Sequence, residues 1–441
     1  MTGLGMWILG LSFAVLGSAA GRAAVDLRDI VGVTHVAGKY HLTDQDFLNE
    51  GADKILALGS RVIKVWFFAG RKGRVAESYP YHSQWPQVES LVEGAQTPYF
   101  ADLFGKPFTT YILVVASLGR DEAYWRKGIT DEQKKDEQRQ FYELAKHLLT
   151  QYQGTGKTFV LQHWEGDWLV RGSFKGDQEP TPEALANMVE WLNARQAGVN
   201  QAREELGQQT RVAGILPACR GTPTVAGVPP ARLRGIGILP MVHGLEAHAT
   251  VAGVPPAIRG RDVLDTDAAG MAATRQSSVR VYHATEVNRV VQSMRDGFPG
   301  VTNKVLPHTK LDLVSYSAWD AATAHYSDPN ILRQALNFIA AHAPDSADFG
   351  DRNVYLGEFG MPENVHSSEK IRIAIPNAVQ TALDWGCPYV VYWQLYCNEL
   401  KDLNAKPPVT SNDAVRGFWL IRPDGTEAWT WDYFHGLLAL P

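Results

Sequence analysis

The segment Asn353-Val-Tyr-Leu-Gly-Glu-Phe-Gly360 places an apolar run directly before a carboxylate that glycines flank. Short runs rich in apolar and β-branched residues occur eight times, at 31–36, 61–67, 109–116, 158–163, 279–284, 311–316, 353–357 and 389–393. Each run has the length of a buried strand, and amphipathic helical stretches separate most of them. Strands that alternate with helices are typical of repeated βα units in a parallel sheet. Eight units predict an α/β protein with a single (β/α)8 TIM barrel.

The stretches between these runs carry helix start and stop signals. Residues 44–58 begin beside a Thr/Asp cap and end at Gly59. Residues 131–151 are charged on one side and apolar on the other. At Thr181-Pro182, a capping hydroxyl precedes a proline at the first helical position. These stretches fit the crossover helices of a barrel better than they fit a sandwich.

One segment, residues 211–278, does not fit the barrel pattern. It has no aromatic residue, and it repeats itself, because GILP at 214–217 recurs at 237–240 and TVAGVPPA at 224–231 recurs at 250–257. A stretch of this composition cannot build a core of its own. We interpret it as a low-complexity repeat insertion between helix four and strand five, disordered or loosely packed, with a small partner-binding module as the alternative. The barrel then comprises 25–210 (strands 1–4) and 279–441 (strands 5–8 and a closing segment).

The N-terminal residues predict export. The run 6–16 is apolar apart from Ser12, and the small residues 17–20 follow it, which is the pattern that signal peptidase cuts. We therefore interpret 1–24 as a signal peptide or N-terminal anchor. The protein is expected in the periplasm, at the cell surface or outside the cell. No other stretch is apolar enough to span a bilayer.

Charge and cysteine content exclude several other classes of protein. With 42 basic and 47 acidic side chains, the net charge of -5 provides no field that attracts nucleic acid. The three cysteines are an odd number and no basis for a disulfide scaffold. No Gly-rich phosphate loop, His/Cys ligand spacing or Gly-x-Ser-x-Gly elbow occurs. We therefore expect no metal and no cofactor.

Polar and aromatic residues near the ends of the predicted strands indicate a functional site. The carboxyl ends of barrel strands converge on one mouth, where active sites form. The candidate residues there are His35, Lys64, Trp66, Trp164, Glu165, Asp167, Trp168, Glu286, Asn288, Tyr316, Trp319, Glu358 and Trp393. This set combines carboxylates with flat aromatic faces suited to stacking on sugar rings. We expect His35 and Lys64 to bind sugar hydroxyls, and Trp66 and Trp319 to offer stacking surfaces.

These strand ends resemble those of clan A glycoside hydrolases, barrel enzymes with one catalytic glutamate after strand four and another after strand seven. Gly357-Glu358-Phe359-Gly360 is similar to the segment that carries the clan nucleophile. Trp393 matches the strand-eight tryptophan that forms the floor of the sugar subsite. Tyr316 resembles the tyrosine that hydrogen-bonds the nucleophile. The resemblance implies that Glu358 is the nucleophile.

At strand four the sequence departs from the clan pattern. The clan has Asn-Glu there, whereas Trp164 precedes Glu165 in this chain. The asparagine that would hold the sugar 2-hydroxyl is absent, and Asn288 after the next strand is a candidate substitute. The resemblance implies that Glu165 is the acid/base, with Asp167 and Glu286 as alternatives. Apolar aromatic neighbours would raise the pKa of a carboxyl group, as a general acid requires.

The function predicted from these residues is that of a retaining glycoside hydrolase acting on a β-linked oligo- or polysaccharide by double displacement. The expected partner is therefore a carbohydrate substrate. Two other classes remain open: a noncatalytic barrel that binds carbohydrate, and a structural surface protein whose insertion is the interacting element.

Overall fold

Eight parallel strands close into a barrel in the computed structural model of the chain, which describes residues 26–68, 75–207 and 278–439. The strands are β1 Val31–His35, β2 Val62–Phe67, β3 Thr110–Val115, β4 Thr158–Gln162, β5 Arg280–Val287, β6 Leu313–Ser317, β7 Val354–Phe359 and β8 Val390–Tyr392. Neighbouring strands pair in chain order, and β1 pairs with β8 to close the ring. The predicted (β/α)8 fold is confirmed.

The described residues contain twelve α-helices, most of which form a layer around the barrel. They are α1 Phe47–Leu58, α2 Val75–Ser78, α3 Leu91–Gln96, α4 Pro98–Gly105, α5 Asp131–Gln151, α6 Gly166–Arg171, α7 Pro182–Glu205, α8 Val290–Asp296, α9 Val301–Lys304, α10 Pro329–Ala340, α11 Ser368–Trp385 and α12 Trp429–Leu438. A π-helical turn, Trp319–Thr323, follows β6. The short helix α6 lies between β4 and α7, so it belongs to the connections at the mouth of the barrel.

The helix ends follow from the caps in the sequence. Asp46 accepts a hydrogen bond from the backbone N–H of Asn49 at the start of α1, and Gly59 ends that helix with φ 102°. Thr181 caps α7 through the backbone N–H of Ala184, with proline at the next position. Each cap satisfies a backbone group that the helix itself leaves without a partner.

Two apolar layers position the strands. Side chains that point outward from the strands pack on the helices in one large core. Inward-pointing side chains fill the barrel itself, namely Val62, Ile112, Val160, Tyr282, Ala284, Leu313, Tyr355, Tyr389 and Val391. Side chains alternate between these layers because successive strand residues point to opposite faces. Whether a strand residue occupies an inward- or an outward-pointing position therefore determines whether its side chain can reach the mouth.

Three strands extend further than the sequence predicts, and β6 does so by one residue, Ser317. The predicted fifth strand, 279–284, ends three residues early, because β5 continues to Val287. The predicted seventh strand, 353–357, likewise stops short of Phe359. Glu286 and Glu358 are therefore strand residues that line the barrel, and they do not lie on mobile connections.

Several sequence predictions lie wholly or mostly outside the described residues. These are the leader 1–24 and the insertion 211–278, of which only Ser278 is described. Within the described ranges, no helix is sufficiently long and apolar to cross a membrane. The same residues include no group of three His, Cys, Asp or Glu side chains arranged to hold a metal ion.

Candidate active site

A β-bulge in β7 turns Glu358 into the barrel. Tyr355 points inward and Leu356 outward, so simple alternation would send Glu358 toward the helices. The register between β6 and β7 shifts at this point, and Ser317 pairs with Glu358. The extra residue is Gly357, where a Cβ would overlap the Ser315 hydroxyl. Glycine and the bulge together allow two consecutive residues to face the interior.

Lys64 joins two buried carboxylates at the floor of the mouth. Its Nζ donates to Glu286 Oε1 at 2.7 Å, to Glu358 Oε1 at 2.9 Å and to the Gly357 carbonyl at 3.2 Å. The Lys64 side chain is fully buried. All three of its protons are thereby directed to acceptors. Lys64 is therefore not exposed to bind a sugar hydroxyl, which corrects the expectation from the sequence.

Glu286 is enclosed by hydrogen-bond donors. Besides Lys64, its Oε1 accepts from Gln162 Nε2 at 2.9 Å and from Ser315 Oγ at 2.8 Å. Its Oε2 accepts from the backbone N–H of Glu165 at 3.1 Å. Four donors hold the carboxylate in its ionised form. Glu286 thus fixes the backbone beside Glu165 and does not face the open mouth.

Glu165 and Glu358 meet at a single hydroxyl. Ser317 Oγ lies 2.7 Å from Glu165 Oε1 and 3.0 Å from Glu358 Oε2. The two contacts, 2.7 Å and 3.0 Å long, bound the separation of these carboxyl oxygens at 5.7 Å. Both carboxyl groups are buried. We name Lys64, Glu286, Glu358, Glu165 and Ser317 the charged cluster.

The three carboxyl groups of the charged cluster have different pKa shifts. Burial, followed by the nearby charge of Glu358, raises the pKa of Glu165 well above its ordinary value. Burial also raises the pKa of Glu358, to about 7, although the adjacent Lys64 opposes the rise. Burial acts on Glu286 in the same direction, but Lys64 and the other donors outweigh it, so the pKa of Glu286 is lowered. Among the described residues, no cation is bonded to Glu165, so Glu165 is the group that keeps its proton most readily.

Three of the predicted tryptophans lie on the β3–β4 side of the mouth. The rings of Trp66 and Trp164 are 6.3 Å apart and pack against the end of β3. Trp168 on α6 is half-buried, and the guanidinium groups of Arg171 and Arg289 each lie 5.6 Å from its ring centre. Trp66 and Trp164 are also half-buried, so all three retain exposed surface.

The remaining two predicted tryptophans lie on the β6–β8 side. Trp319 opens the π-helical turn and packs edge to face on Phe418, with ring centres 5.4 Å apart. Trp393 follows β8 and is 7% exposed. Both approach Gly360, where a Cβ would overlap the Trp393 carbonyl oxygen and lie 3.4 Å from Trp319 Cη2. The second glycine of the strand-seven motif is therefore required by the close approach of the Trp393 backbone.

Two predicted site residues lie behind the barrel wall. The His35 ring faces α1, where its Nε2 lies 2.6 Å from the Phe47 carbonyl oxygen, and it is fully buried. The Tyr316 hydroxyl donates to Asp320 Oδ1 at 2.7 Å and does not contact Glu358. Both residues occupy strand positions whose side chains point outward to the helices, which corrects their predicted positions in the mouth. The bond expected of Tyr316 to Glu358 is made instead by Ser317.

Asp167 and Asn288 bond to each other and to the backbone. Asp167 Oδ2 accepts from the Asn288 N–H at 3.0 Å, and Asn288 Oδ1 accepts from the Asp167 N–H at 3.0 Å. Asp167 Oδ1 accepts from the Val301 N–H at 2.9 Å. Burial raises the pKa of Asp167 to about 6. The pair joins the connections after β4 and β5, and Asp167 is too buried to face a ligand in the mouth.

Four residues at the site were not identified from the sequence. Gln162, Ser315 and Ser317 face the interior, and Phe174 lies in the connection after α6. Period-two alternation from Leu313 assigns Ser315 and Ser317 to the interior, so this signal was available. Phe174 had no such signal, because its position depends on the path of an irregular connection.

Comparison with known proteins gives fold-level similarity. Neither protein-family models nor curated proteins match the chain. A GH5_18 protein from Streptomyces cattleya, solved in complex with Manβ1-4GlcNAc, is 12% identical over 93% of this chain and 82% of that one, with a TM-score of 0.50. A family 39 glycoside hydrolase from Bacteroides cellulosilyticus is 10% identical over 94% of this chain and 65% of that one, with a TM-score of 0.47.

A third similar structure is a β-glucuronidase from Bacteroides uniformis. It is 10% identical, and the alignment covers 94% of this chain but only 35% of that one, with a TM-score of 0.42. At such identities the likeness is one of fold. That fold is the (β/α)8 barrel described above.

Proposed function

We propose that this protein is a retaining glycoside hydrolase that cleaves a β-linked oligo- or polysaccharide, with Glu358 as nucleophile and Glu165 as acid/base. The observation that carries the proposal is the Ser317 contact to both groups, which keeps their nearest bonded oxygens within 5.7 Å. Retaining enzymes hold their carboxyl groups about 5 to 5.5 Å apart, whereas inverting enzymes need about 6.5 to 9.5 Å to admit a water.

The two roles follow from the unequal surroundings of the two carboxyl groups. Lys64 donates directly to Glu358, so the ionised form of Glu358 has a partner inside the barrel. In the part of the chain that the structure describes, no cation bonds to Glu165, and burial favours its neutral form. A neutral acid beside an ionised nucleophile is the starting state that double displacement requires.

The contacts of the two alternative acids argue against their use in catalysis. Glu286 accepts four hydrogen bonds, one of them from a cation, and these favour its ionised form over the protonated form that a general acid needs. Both oxygens of Asp167 accept backbone N–H groups. Neither carboxyl group is available to a leaving oxygen in this arrangement, which supports Glu165.

In the first step, Glu358 attacks the anomeric carbon while Glu165 donates its proton to the glycosidic oxygen. The bond to the leaving sugar breaks, that sugar departs as an alcohol, and an ester bond to Glu358 forms. Before this step, Ser317 donates its one hydroxyl proton to the ionised Glu358 and accepts from the neutral Glu165; the Glu165 proton then leaves Ser317 and passes to the glycosidic oxygen. A single hydroxyl proton can be donated to only one of the two carboxylates at a time.

In the second step, the ionised Glu165 takes a proton from water, and the oxygen of that water attacks the anomeric carbon. The ester bond breaks and Glu358 is released as a carboxylate. Because the ester carries no charge, Ser317 can now turn its hydroxyl toward the ionised Glu165. One hydroxyl therefore serves both carboxylates in alternation.

The test is a pair of substitutions assayed on aryl β-glycosides. Glu358→Ala should abolish turnover, because no group remains to form the ester. Glu165→Ala should spare the first step for leaving groups that need no proton, and azide should then restore release of the sugar as a β-glycosyl azide. NMR of the first product formed should show the β-anomer.

Glu50→Gln is the matched control. Glu50 is equally buried, but it accepts from the Leu42 and Thr43 N–H groups behind the barrel wall. This variant should retain activity. Full activity of Glu358→Ala, or an α-anomer as first product, would overturn the proposal.

We also propose that the enzyme acts outside the cytoplasm. The apolar run 6–16 and the small residues that follow it support this location. Mass spectrometry of the N-terminus of the protein recovered from the outside of expressing cells tests it. Recovery only from the cytoplasm would contradict it.

A further inference from the structure

An exposed phenylalanine extends the aromatic surface of the mouth outward. The Phe174 ring centre lies 6.0 Å from that of Trp164 and 5.8 Å from that of Trp168. Phe174 is 74% exposed, whereas both tryptophans are half-buried. We name Trp164, Phe174 and Trp168 the outer aromatic row.

The row is held in place without being covered. Trp164 packs against the end of β3, and the Arg171 and Arg289 guanidinium groups lie against Trp168. The Arg171 side chain is buried and also lies 4.7 Å from the Phe298 ring centre. Cation–π contacts of this kind fix an indole in position. The two tryptophans support one side of Phe174 while most of its surface faces solvent, which is a geometry suited to a flat ligand.

The position of the row relative to Glu165 gives the row a direction. Trp164 directly precedes Glu165 in the chain, and the Glu165 backbone is fixed by its bond to Glu286. The acid protonates the oxygen of the leaving group, so the leaving sugar must pass beside Glu165. The row therefore begins at Trp164, the residue beside Glu165, and continues to the exposed Phe174.

We propose that the outer aromatic row binds the leaving-group side of an extended β-linked oligosaccharide, so that the enzyme cleaves within chains. The inference rests on the proposed function. Pyranose rings present flat C–H faces that stack on aromatic rings, and such a surface tolerates several sugars because it makes few directional hydrogen bonds. The chemical class of substrate is therefore a chain with two or more sugars beyond the cleaved bond.

The first measurement uses the full-length wild-type protein. Its kcat/KM is compared for aryl β-glycosides and for β-1,4-linked gluco-, manno- and xylo-oligosaccharides of two to six sugars. We expect kcat/KM to rise as sugars are added on the reducing side, and internal bonds to be cleaved. Release of single sugars from the non-reducing end, at a rate independent of chain length, would overturn the proposal.

The second measurement uses Phe174→Ala. The ratio of kcat/KM for the hexasaccharide to that for the aryl glycoside should fall about tenfold, mostly through KM, because one stacking contact is lost. Phe174→Tyr should restore the ratio, because it keeps the ring. Leu403→Ala removes another exposed apolar side chain, 88% exposed, outside the row, and should leave the ratio as in wild type. An unchanged ratio in Phe174→Ala would overturn the proposal.

Different results would contradict the proposed hydrolase function and the proposed binding by the outer aromatic row. If wild type turns over neither aryl glycosides nor oligosaccharides, the proposed hydrolase function is wrong. Calorimetric titration with the hexasaccharides then still tests the row. Weaker binding to Phe174→Ala than to wild type supports it, and equal or absent binding overturns it.

Discussion

The charged cluster and the outer aromatic row lie at the same mouth, but different forces hold them. Lys64, Glu286 and Glu358 are fully or almost fully buried, and each depends on the others for its charge. Phe174 is mostly exposed and depends on its neighbours only for support. A change in the cluster should therefore affect ionisation, folding and catalysis together. A change in the row should affect ligand binding alone.

This difference follows from the cost of burying charge. Two carboxylates and one ammonium inside a barrel have lost their water, and only their mutual contacts offset that loss. An aromatic ring at the surface loses little on folding and can be removed at little cost. The residues of the charged cluster, which depend on one another, thus lie at the floor of the mouth, whereas residues at its rim can be substituted with little effect on folding.

The largest effect is expected for Lys64→Met. It leaves both Glu286 and Glu358 without a cation, so we expect a loss of about 3 to 5 kcal/mol in unfolding free energy and loss of activity. Chemical denaturation at pH 7 measures the unfolding free energy. Adding Glu286→Gln should restore part of the stability, since one unpaired charge is removed.

Lys157→Met is the control for removing a buried lysine. Lys157 Nζ bonds to the Lys106 and Phe108 carbonyls and the Tyr111 hydroxyl, and to no carboxylate of the described residues. It should retain activity. Equal loss of activity in both variants would remove the distinction between the cluster and the rest of the interior.

The next effect concerns stability as a function of pH. The pKa of Glu358 is raised to about 7 in the folded protein, so its contribution to stability is complete below the ordinary carboxyl range and is lost as the pH rises through about 7. Glu358→Gln cannot ionise. It should be more stable than wild type at pH 8, on the order of 1 to 3 kcal/mol, and the advantage should disappear near pH 4. A constant difference at all pH values would contradict this assignment.

A smaller effect is expected for Ser317→Ala. A hydrogen bond to a charged group contributes about 1.5 to 3 kcal/mol, so kcat/KM should fall about 10- to 100-fold. The acid limb of the pH profile should also move upward, because the Ser317 hydroxyl lowers the pKa of Glu358. Ser317→Thr keeps the hydroxyl and should restore both values. A lower rate with an unmoved limb would mean that Ser317 has only a structural role.

The sequence predicted the barrel and both proposed catalytic glutamates, but it did not predict which way several strand residues point. Eight apolar runs define eight strands regardless of side-chain parity. Because successive strand residues point to opposite faces, Ser317 points into the barrel and Tyr316 points out of it. His35 likewise points outward from β1 and contacts α1. For Glu358 parity alone gives the wrong answer, since the bulge at Gly357 reverses it. A bulge depends on contacts between two strands, which no single run contains.

The smallest effect is expected when either of two tyrosines on neighbouring strands is changed to phenylalanine. Comparing the two variants shows which residues belong to the charged cluster. Tyr316 bonds to Asp320 behind the wall, whereas Tyr355 donates to Gln162 Oε1 inside the barrel, and Gln162 in turn donates to Glu286. Both rings are fully buried, so either change to phenylalanine should cost about 1 to 2 kcal/mol of stability. Only Tyr355→Phe is connected to the cluster through hydrogen bonds, so only Tyr355→Phe should move the acid limb of kcat/KM. If Tyr316→Phe moved the limb instead, the tyrosine would act on Glu358 as the family resemblance implies, and the cluster would extend through the wall.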